Sequence, residues 1–121
     1  MIERVYVAGK LDDGAVGYIQ NCARMIRTGE EVRKAGFAVF VPCLDILSGM
    51  MSGDLDYKDY FDNSQPWLDV CDAVFLVPGW ETSRGTAREI KRAQAAGILV
   101  FERLDDLVAH RDQAGEPNEK V

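Results

Sequence analysis

One glutamate in the second half of the chain has the setting of a catalytic carboxylate. Thr86, Glu89 and Ala93 are spaced three and four residues apart, so a helix places them, together with Ala96, on one stripe. Because the other members are small, we expect this stripe to lie close to a sheet or pocket, near a helix start that stabilises an anion. Glu89 is therefore a candidate carboxylate nucleophile. The alternative from the same spacing is a first-turn glutamate that only satisfies free backbone amides.

The residues around Glu89 predict a strand, a loop and a helix that would position it. Residues 73–77 form a short apolar run typical of a buried strand, and Pro78 and Gly79 end it. Ser83 is a candidate N-cap for a helix over residues 84–96. In an open parallel sheet, ligands bind at loops that follow the carboxyl ends of strands.

Length and composition exclude several classes of protein. The 121 residues have a net charge of −6 and are 47% hydrophobic, which fits one globular domain without the basic face of a nucleic-acid binder. The sequence contains neither an apolar run of ~18 residues, as a membrane span needs, nor the pattern of a signal peptide. The three cysteines share no metal-ligand spacing, and the single histidine cannot form a histidine metal site or a His-based triad. We therefore expect a cytoplasmic protein with reduced cysteines and with neither metal nor cofactor.

Short apolar segments alternate with helical ones along the chain. Strands are predicted at residues 2–8, 37–41, 73–77 and 98–101, and helices at 15–35, 57–68, 84–96 and 104–110. This order predicts a single-domain α/β fold of the flavodoxin- or Rossmann-like three-layer type, with a four-stranded parallel sheet in the order 2-1-3-4. The domain is predicted to span residues 1–110, followed by a flexible tail over residues 111–121.

Three segments carry further expectations. Residues 43–56 lack a regular pattern and would form either a lid over the site or a plain surface loop. Residues 57–68 are rich in aromatic side chains, with a helix break expected near Ser64, and would line a pocket or a subunit interface. In the helix over residues 15–35, the stripe predicted to face the core comprises Ile19, Cys22, Ala23, Ile26, Gly29 and Val32.

Several short motifs together carry a family resemblance. The most specific is Ser83-x-Gly85-x-x-x-Glu89, which follows an Asp-Ala-Val strand and a Pro-Gly-Trp turn. The others are Val5-Tyr6-Val7-Ala8-Gly9, Phe40-Val41-Pro42, and Trp67-Leu68 with Cys71-Asp72-Ala73-Val74. With these motifs the chain resembles the nucleoside 2-deoxyribosyltransferase-like superfamily, including its small DUF4406-type branch, over roughly residues 4–101.

The resemblance implies cleavage or transfer of the N-glycosidic bond of a (deoxy)nucleoside or nucleotide. Glu89 would attack the anomeric carbon, expel the base and form a covalent sugar ester, which water or a second base then resolves. Tyr6 would lie beside this nucleophile, although the residue type alone also fits a core aromatic. Ser83 would bind the 5′ end of a nucleotide. The other positions implied to contact substrate are Gly9, Lys10, Asp12, Pro42, Gly79, Trp80 and Gly85.

The chain departs from the superfamily pattern at the group that assists the leaving base. Ser64 stands where relatives often carry an aspartate, so Asp62 or Asp59 would have to supply the acid. General acid assistance contributes about 10²–10⁴-fold to a rate. The alternative function is therefore a non-catalytic protein that binds a nucleoside- or nucleotide-like ligand in the same crevice.

A second departure concerns charge near the first loop. Asp12 and Asp13 stand where nucleotide hydrolases of the superfamily carry a basic residue. This pair favours a neutral nucleoside, or a ligand with a cationic part, over a monophosphate, unless Lys10 and Arg84 both point inward. Relatives complete their pockets across a subunit interface, so we also expect a homodimer or higher homo-oligomer.

Overall fold

Four short strands form one parallel sheet. The computed structural model describes residues 2–53 and 56–115. The strands are β1 (Arg4–Ala8), β2 (Ala38–Phe40), β3 (Ala73–Leu76) and β4 (Leu99–Phe101), in the order β2-β1-β3-β4. The helices are α1 (Gly14–Lys34), α2 (Ile46–Ser52), α3 (Tyr57–Asp69), α4 (Arg84–Ala95) and α5 (Leu104–Gly115). The predicted α/β class, parallel sheet and strand order are confirmed.

The sheet separates two apolar layers. Successive side chains of β1 point to opposite faces. Val5 packs in a cluster with Val32 of α1 and Leu107 of α5, and all three are fully buried. Tyr6 packs on the other face with Leu68 of α3, in a cluster that also includes α4. Burying one such aliphatic side chain contributes about 1.5–3 kcal/mol, so both layers hold the sheet.

Two contacts fix β1 against β3, one at each end of the pair. At the start, Oδ2 of Asp72 accepts hydrogen bonds from the backbone amides of Glu3 and Arg4, both at 2.8 Å. At the carboxyl end, a Cβ atom on Gly9 would lie 2.6 Å from Cβ of Val77. A side chain at position 9 would therefore push apart the two strand ends from which the predicted ligand loops leave.

The prediction of an irregular segment over residues 43–56 is wrong for most of its length. Pro42–Asp45 forms a short 3-10 helix, and α2 follows it directly. Gly53 ends α2 with a φ of +76° and donates its amide to the Gly49 carbonyl at 2.8 Å. Proline at the first helical position and glycine just past the end are ordinary helix boundaries, so the sequence did contain the signal. Residues 54 and 55 lie outside the described residues.

The predicted helix break near Ser64 is also wrong, because α3 is one continuous helix. Pro66 lies in its interior, where the missing N–H removes the backbone bond to the Asp62 carbonyl. The Asp56 side chain accepts a hydrogen bond from the Lys58 amide at 3.0 Å and so caps the helix start. This cap and the burial of α3 against the sheet keep the helix intact across the proline.

The core-facing side of α1 differs from the predicted stripe. Ile19 and Ile26 are 64% and 39% exposed. A Cβ atom on Gly29 would lie 2.7 Å from Cγ2 of Val41, so the helix approaches the sheet at this glycine, and that contact sets which side faces inward. The buried residues of α1 are Asn21, Cys22, Met25, Thr28, Gly29 and Val32.

The last helix extends beyond its predicted end at His110 and reaches Gly115. Nη1 of Arg111 donates to the Ala35 carbonyl at 2.7 Å, and its guanidinium lies 4.6 Å from the ring centroid of Phe37. These contacts tie the added turn to the body of the domain, so residues 111–115 are helical rather than irregular. Residues 116–121 of the predicted tail lie outside the described residues. Over residues 2–53 and 56–115, no helix is both long and apolar enough to cross a membrane.

Candidate active site

Glu89 lies inside the protein, on the side of α4 that faces the sheet. Only 8% of its surface is exposed, and Thr86 and Ala93 on the same stripe are buried. Ala96, the fourth member of the predicted stripe, is exposed. The small residues beside Glu89 let α4 approach the sheet closely, as the spacing predicts. The Glu89 carboxylate contacts side chains rather than backbone amides, so the alternative of a first-turn capping glutamate is wrong.

Tyr6 is the first hydrogen-bond partner of Glu89. Its hydroxyl donates to Oε2 of Glu89 at 2.5 Å. Tyr6 is fully buried in the middle of β1, and its ring stacks on Phe40 at a centroid distance of 5.5 Å. Phe40 stacks in turn on Trp67 at 6.0 Å. Tyr6 is therefore both a core aromatic and a donor to the carboxylate, because its ring fixes where its hydroxyl lies.

Gln65 of α3 is the second partner, and sequence reasoning missed it. Its Nε2 donates to Oε2 of Glu89 at 3.0 Å and to Oγ of Ser64 at 3.2 Å, and it lies 3.5 Å from the Tyr6 hydroxyl. Gln65 is 3% exposed, and its Oε1 is buried without a hydrogen-bond partner. The only sequence signal is a polar amide in a helix that also supplies core residues, and this pattern is weak.

Burial and hydrogen bonding act in opposite directions on the charge of Glu89. Burial raises the pKa of the Glu89 carboxyl, because the charged form loses its hydration. The hydrogen bonds from Tyr6 and Gln65 lower the pKa of Glu89, but burial is the larger effect. Burial and the nearby carboxylate also raise the pKa of Tyr6 well above its usual range. Tyr6 therefore stays protonated and remains a donor at every physiological pH.

Helices α3 and α4 meet along one row of side chains that covers Glu89. The Gln65–Glu89 bond lies at the middle of this row. On one side of it, the guanidinium of Arg88 lies 5.2 Å from the ring centroid of Phe61. On the other side, Arg92 forms a two-point ion pair with Asp69, with N–O distances of 2.6 and 2.7 Å. These contacts thus hold α3 against α4 beside Glu89.

Ser83 caps α4, two turns before Glu89. Its Oγ accepts hydrogen bonds from the amide of Thr86 at 3.1 Å and from the Thr86 hydroxyl at 2.9 Å. The preceding loop contains Gly79, whose φ of +92° favours glycine. Nε1 of Trp80 donates to Oε1 of Glu102 at 3.0 Å. Trp80 therefore fastens the loop to the residue that follows β4.

The remaining predicted site residues occupy the carboxyl-end edge of the sheet. Gly9 and the half-buried Lys10 follow β1, and Asp12 is exposed in the same loop. Pro42 begins the 3-10 helix after β2, and Gly85 lies in the first turn of α4.

Asp62, the suggested acid, lies on an exposed part of α3. Its carboxylate pairs with Nζ of Lys58 at 2.6 Å. The catalytic role of Asp62 stays a prediction.

Two of the open cavities formed by the described residues lie beside α3 and α4, and Glu89 lines neither of these two. One is lined by side chains of α2 and α3, including Asp59, the other suggested acid. The second has a volume of about 430 Å³ and lies at the carboxyl end of β3 and β4, with Trp80, Ile90 and Phe101 among its walls. Among residues 2–53 and 56–115, no group of three or more metal-ligating side chains could hold a metal ion.

Most of this chain matches one known protein family. Residues 3–102 match the family described as Domain of unknown function (DUF4406). The chain belongs to the DUF4406 family. The match runs from β1 to the end of β4 and includes Tyr6, Gln65 and Glu89, so in this DUF4406 protein the hydrogen-bonded cluster lies within the family domain. The DUF4406 part of the predicted resemblance is confirmed. No curated protein matches the sequence.

Proposed function

We propose that this DUF4406 protein cleaves or transfers the N-glycosidic bond of a (deoxy)nucleoside or nucleotide through a covalent glycosyl-Glu89 intermediate. The observation that carries the proposal is the buried Glu89 carboxylate, held by the Tyr6 hydroxyl and the Gln65 amide. A structural glutamate at such a place would be expected to pair with a cation, whereas this one accepts two neutral hydrogen bonds. The resemblance of the Ser83–Glu89 motif to nucleoside 2-deoxyribosyltransferases supplies the reaction class.

The geometry of the two hydrogen bonds fits nucleophilic attack. Both donors bind Oε2 of Glu89, so Oε1 is the oxygen that attacks. In the first step, Oε1 bonds to the anomeric carbon as the C–N bond breaks. The electron pair of the C–N bond leaves with the base, which takes up a proton from Asp62, Asp59 or water. In the second step, a base nitrogen or a water oxygen bonds to the same carbon as the C–O bond to Glu89 breaks. The acceptor loses a proton, and the Glu89 carboxylate is returned.

The raised pKa of Glu89 sets the pH dependence of this reaction. Only the ionised carboxylate can attack, so activity falls as the pH drops through the pKa of Glu89. Because burial raises that pKa, the acidic limb of the rate profile lies above the ordinary carboxylate value of about 4.3.

Substitution of the nucleophile tests the proposal. The protein is incubated with a purine 2-deoxynucleoside and a second free base, and release or exchange of base is followed by chromatography. We expect Glu89→Gln to lower the rate by about 10³-fold or more, because it keeps the shape of the side chain but removes the nucleophile. Glu81→Gln, at an exposed glutamate before the same helix, is the matched control and should keep full activity. Full activity in Glu89→Gln would refute the proposal.

A covalent adduct gives a second, independent readout. A 2-fluoro-2-deoxynucleoside slows hydrolysis of the sugar ester, so the adduct accumulates and mass spectrometry of the digested protein can locate it. We expect the added mass on the peptide that contains Glu89 and no added mass in Glu89→Gln. An adduct on another peptide would assign the nucleophile elsewhere.

A non-catalytic ligand-binding function is the second candidate. Two observations favour it: serine at position 64, and the absence of Glu89 from the walls of both described cavities. It predicts that a nucleoside raises the melting temperature in proportion to the logarithm of its concentration above Kd, without any release of base.

We also propose that the protein is a homo-oligomer. Val16, Ile19 and Ile26 form an exposed apolar stripe on α1, at exposures of 70%, 64% and 39%. Met50 and Met51 of α2 add further exposed apolar surface, at 65% and 86%. Contacts with a second copy would cover such surface. Light scattering coupled to size-exclusion chromatography tests this, and a monomer at micromolar concentration would contradict it.

A further inference from the structure

The side chain of Gln65 has one atom that the protein itself does not use. Among the described residues, the buried side-chain atoms without a hydrogen-bond partner are Oε1 of Gln65 and Nδ1 of His110, and only the first belongs to the Glu89 cluster. The amide nitrogen of Gln65 must face Glu89, because an ionised carboxylate only accepts hydrogen bonds. The carbonyl oxygen therefore has a fixed direction and remains without a donor.

We propose that Oε1 of Gln65 accepts a hydrogen bond from a ring hydroxyl of the sugar that Glu89 attacks. This inference rests on the proposed function and names the substrate group that the site recognises. A buried acceptor without a donor is unfavourable, and a bound donor is the simplest way to satisfy it. The ligand class is thus a nucleoside that keeps at least one hydroxyl on its sugar ring.

Distances within the cluster support this pairing. Nε2 of Gln65 lies 3.0 Å from Oε2 of Glu89. The carbonyl oxygen and nitrogen of one amide are about 2.2 Å apart, from the standard bond lengths. Oε1 of Gln65 is therefore within about 5 Å of the Glu89 carboxylate. Once that carboxylate bonds to the anomeric carbon, hydroxyls on the next two ring carbons fall within the same range.

Gln65 is a positioning residue on this view, since one amide group orients both reactants. Its nitrogen holds the carboxylate, and its oxygen holds the sugar. Ser64 Oγ is a second acceptor for Nε2, at 3.2 Å, and helps to fix the amide plane. The row of contacts between α3 and α4 sets where this amide lies.

A set of matched adenine nucleosides tests the inference. The set comprises the nucleoside with both ring hydroxyls, the 2′-deoxy and 3′-deoxy forms, and the 2′,3′-dideoxy form. Both kcat/KM for release of adenine and Kd are measured. For the dideoxy form we expect a kcat/KM about 10- to 100-fold lower, and a Kd about 10- to 100-fold higher, than for the best member of the set. The reason is that the Gln65 carbonyl then stays unpaired. The two monodeoxy forms show which hydroxyl is recognised.

The same substitution at two glutamines separates the role of Gln65 from general damage. Gln65→Met keeps the length of the side chain but removes the carbonyl, and we expect the preference for hydroxyls to shrink to within about 3-fold. Gln20→Met, at an exposed glutamine of α1, should keep the wild-type preference. If Gln65→Met does not fold, the preference of the wild-type protein among the four nucleosides still decides the matter.

The outcomes distinguish this inference from the proposed function. Turnover with no preference among the four nucleosides overturns the role of Gln65 and leaves Glu89 as nucleophile. A water molecule bound to Oε1 of Gln65 would produce that result. Binding with the expected preference but without adenine release overturns the chemistry and keeps the role of Gln65. Neither binding nor release for all four nucleosides overturns both. An unchanged preference in folded Gln65→Met overturns the role of Gln65 alone.

Discussion

Replacing Glu89 by glutamine should make the stability of this protein less dependent on pH. The folded protein binds the Glu89 proton more tightly than the unfolded chain does, because burial raises the pKa of this carboxyl. The stability that the protonated Glu89 contributes is therefore fully present below the ordinary carboxylate pKa. It is lost as the pH rises through the raised pKa of Glu89 in the folded protein. Glu89→Gln keeps an acceptor for the Tyr6 hydroxyl and removes the charge.

The size of the effect follows from proton linkage. Within the window between the unfolded pKa, about 4.3, and the raised folded pKa, the free energy of unfolding of the wild type falls by up to about 1.4 kcal/mol per pH unit relative to the variant. Above this pH window, the difference in free energy of unfolding between the wild type and Glu89→Gln is constant. For a chain of this length, 1 kcal/mol corresponds to roughly 4 °C in melting temperature.

Urea denaturation at half-unit steps from pH 4 to pH 8 measures this difference. We expect the free energy of unfolding of Glu89→Gln to increase relative to that of the wild type as the pH rises, and this difference then to reach a plateau. Glu81→Gln, at an exposed carboxylate, should follow the wild type within about 0.5 kcal/mol throughout. The reasoning would be refuted if the free energy of unfolding of the wild type rose relative to that of Glu89→Gln between pH 4.5 and 7. In that case the hydrogen bonds would affect the pKa of Glu89 more than burial does.

Three further substitutions have defined outcomes. Tyr6→Phe removes a donor that lowers the pKa of Glu89, so the acidic limb of the pH–rate profile should move to higher pH, with a rate loss of about 10-fold or more in steady-state kinetics. Gly9→Ala places a methyl group against Val77 and should lower the free energy of unfolding by about 1–3 kcal/mol in urea. Ser83→Ala removes the cap of α4 and should lower the free energy of unfolding by about 1 kcal/mol in the same assay.

Two of these predictions have a control variant, and the one for Tyr6 has an outcome that would contradict it. Ser83→Asp supplies another good cap and should keep most of the stability. The double variant Gly9→Ala with Val77→Ala should lose less stability than the two single losses added together, because the smaller side chain makes room. If the acidic limb of the pH–rate profile lay at the same pH in Tyr6→Phe as in the wild type, the Tyr6 hydroxyl would not affect the pKa of Glu89.

The parts of the fold that could be predicted depend on local signals. The unit from β3 to α4 follows from an apolar run, a Pro-Gly turn, a serine cap and a terminal glycine, all adjacent in sequence. The order of the strands follows from the general rules for parallel sheets. The 3-10 helix and α2 carried such signals in Pro42 and Gly53, but the short length of α2 and its two exposed methionines resembled a loop.

The parts that could not be predicted depend on contacts between distant segments. Which side of α1 faces inward is set by Gly29 against Val41, a contact that apolar periodicity does not encode. Gln65 joins the Glu89 cluster only because α3 packs on α4, and an uncharged amide gives no sign of this in the sequence. The burial of Glu89 was predictable from its small helix neighbours, whereas its second donor was not.

The stack of Tyr6, Phe40 and Trp67 connects the buried carboxylate to the surface through three rings. Trp67, at its outer end, is 53% exposed. The chain contains two tryptophans, so with Trp80 replaced by phenylalanine all indole emission comes from the outer end of this stack. The protein therefore carries its own optical probe, and a rearrangement around Glu89 can be followed in real time without an attached dye.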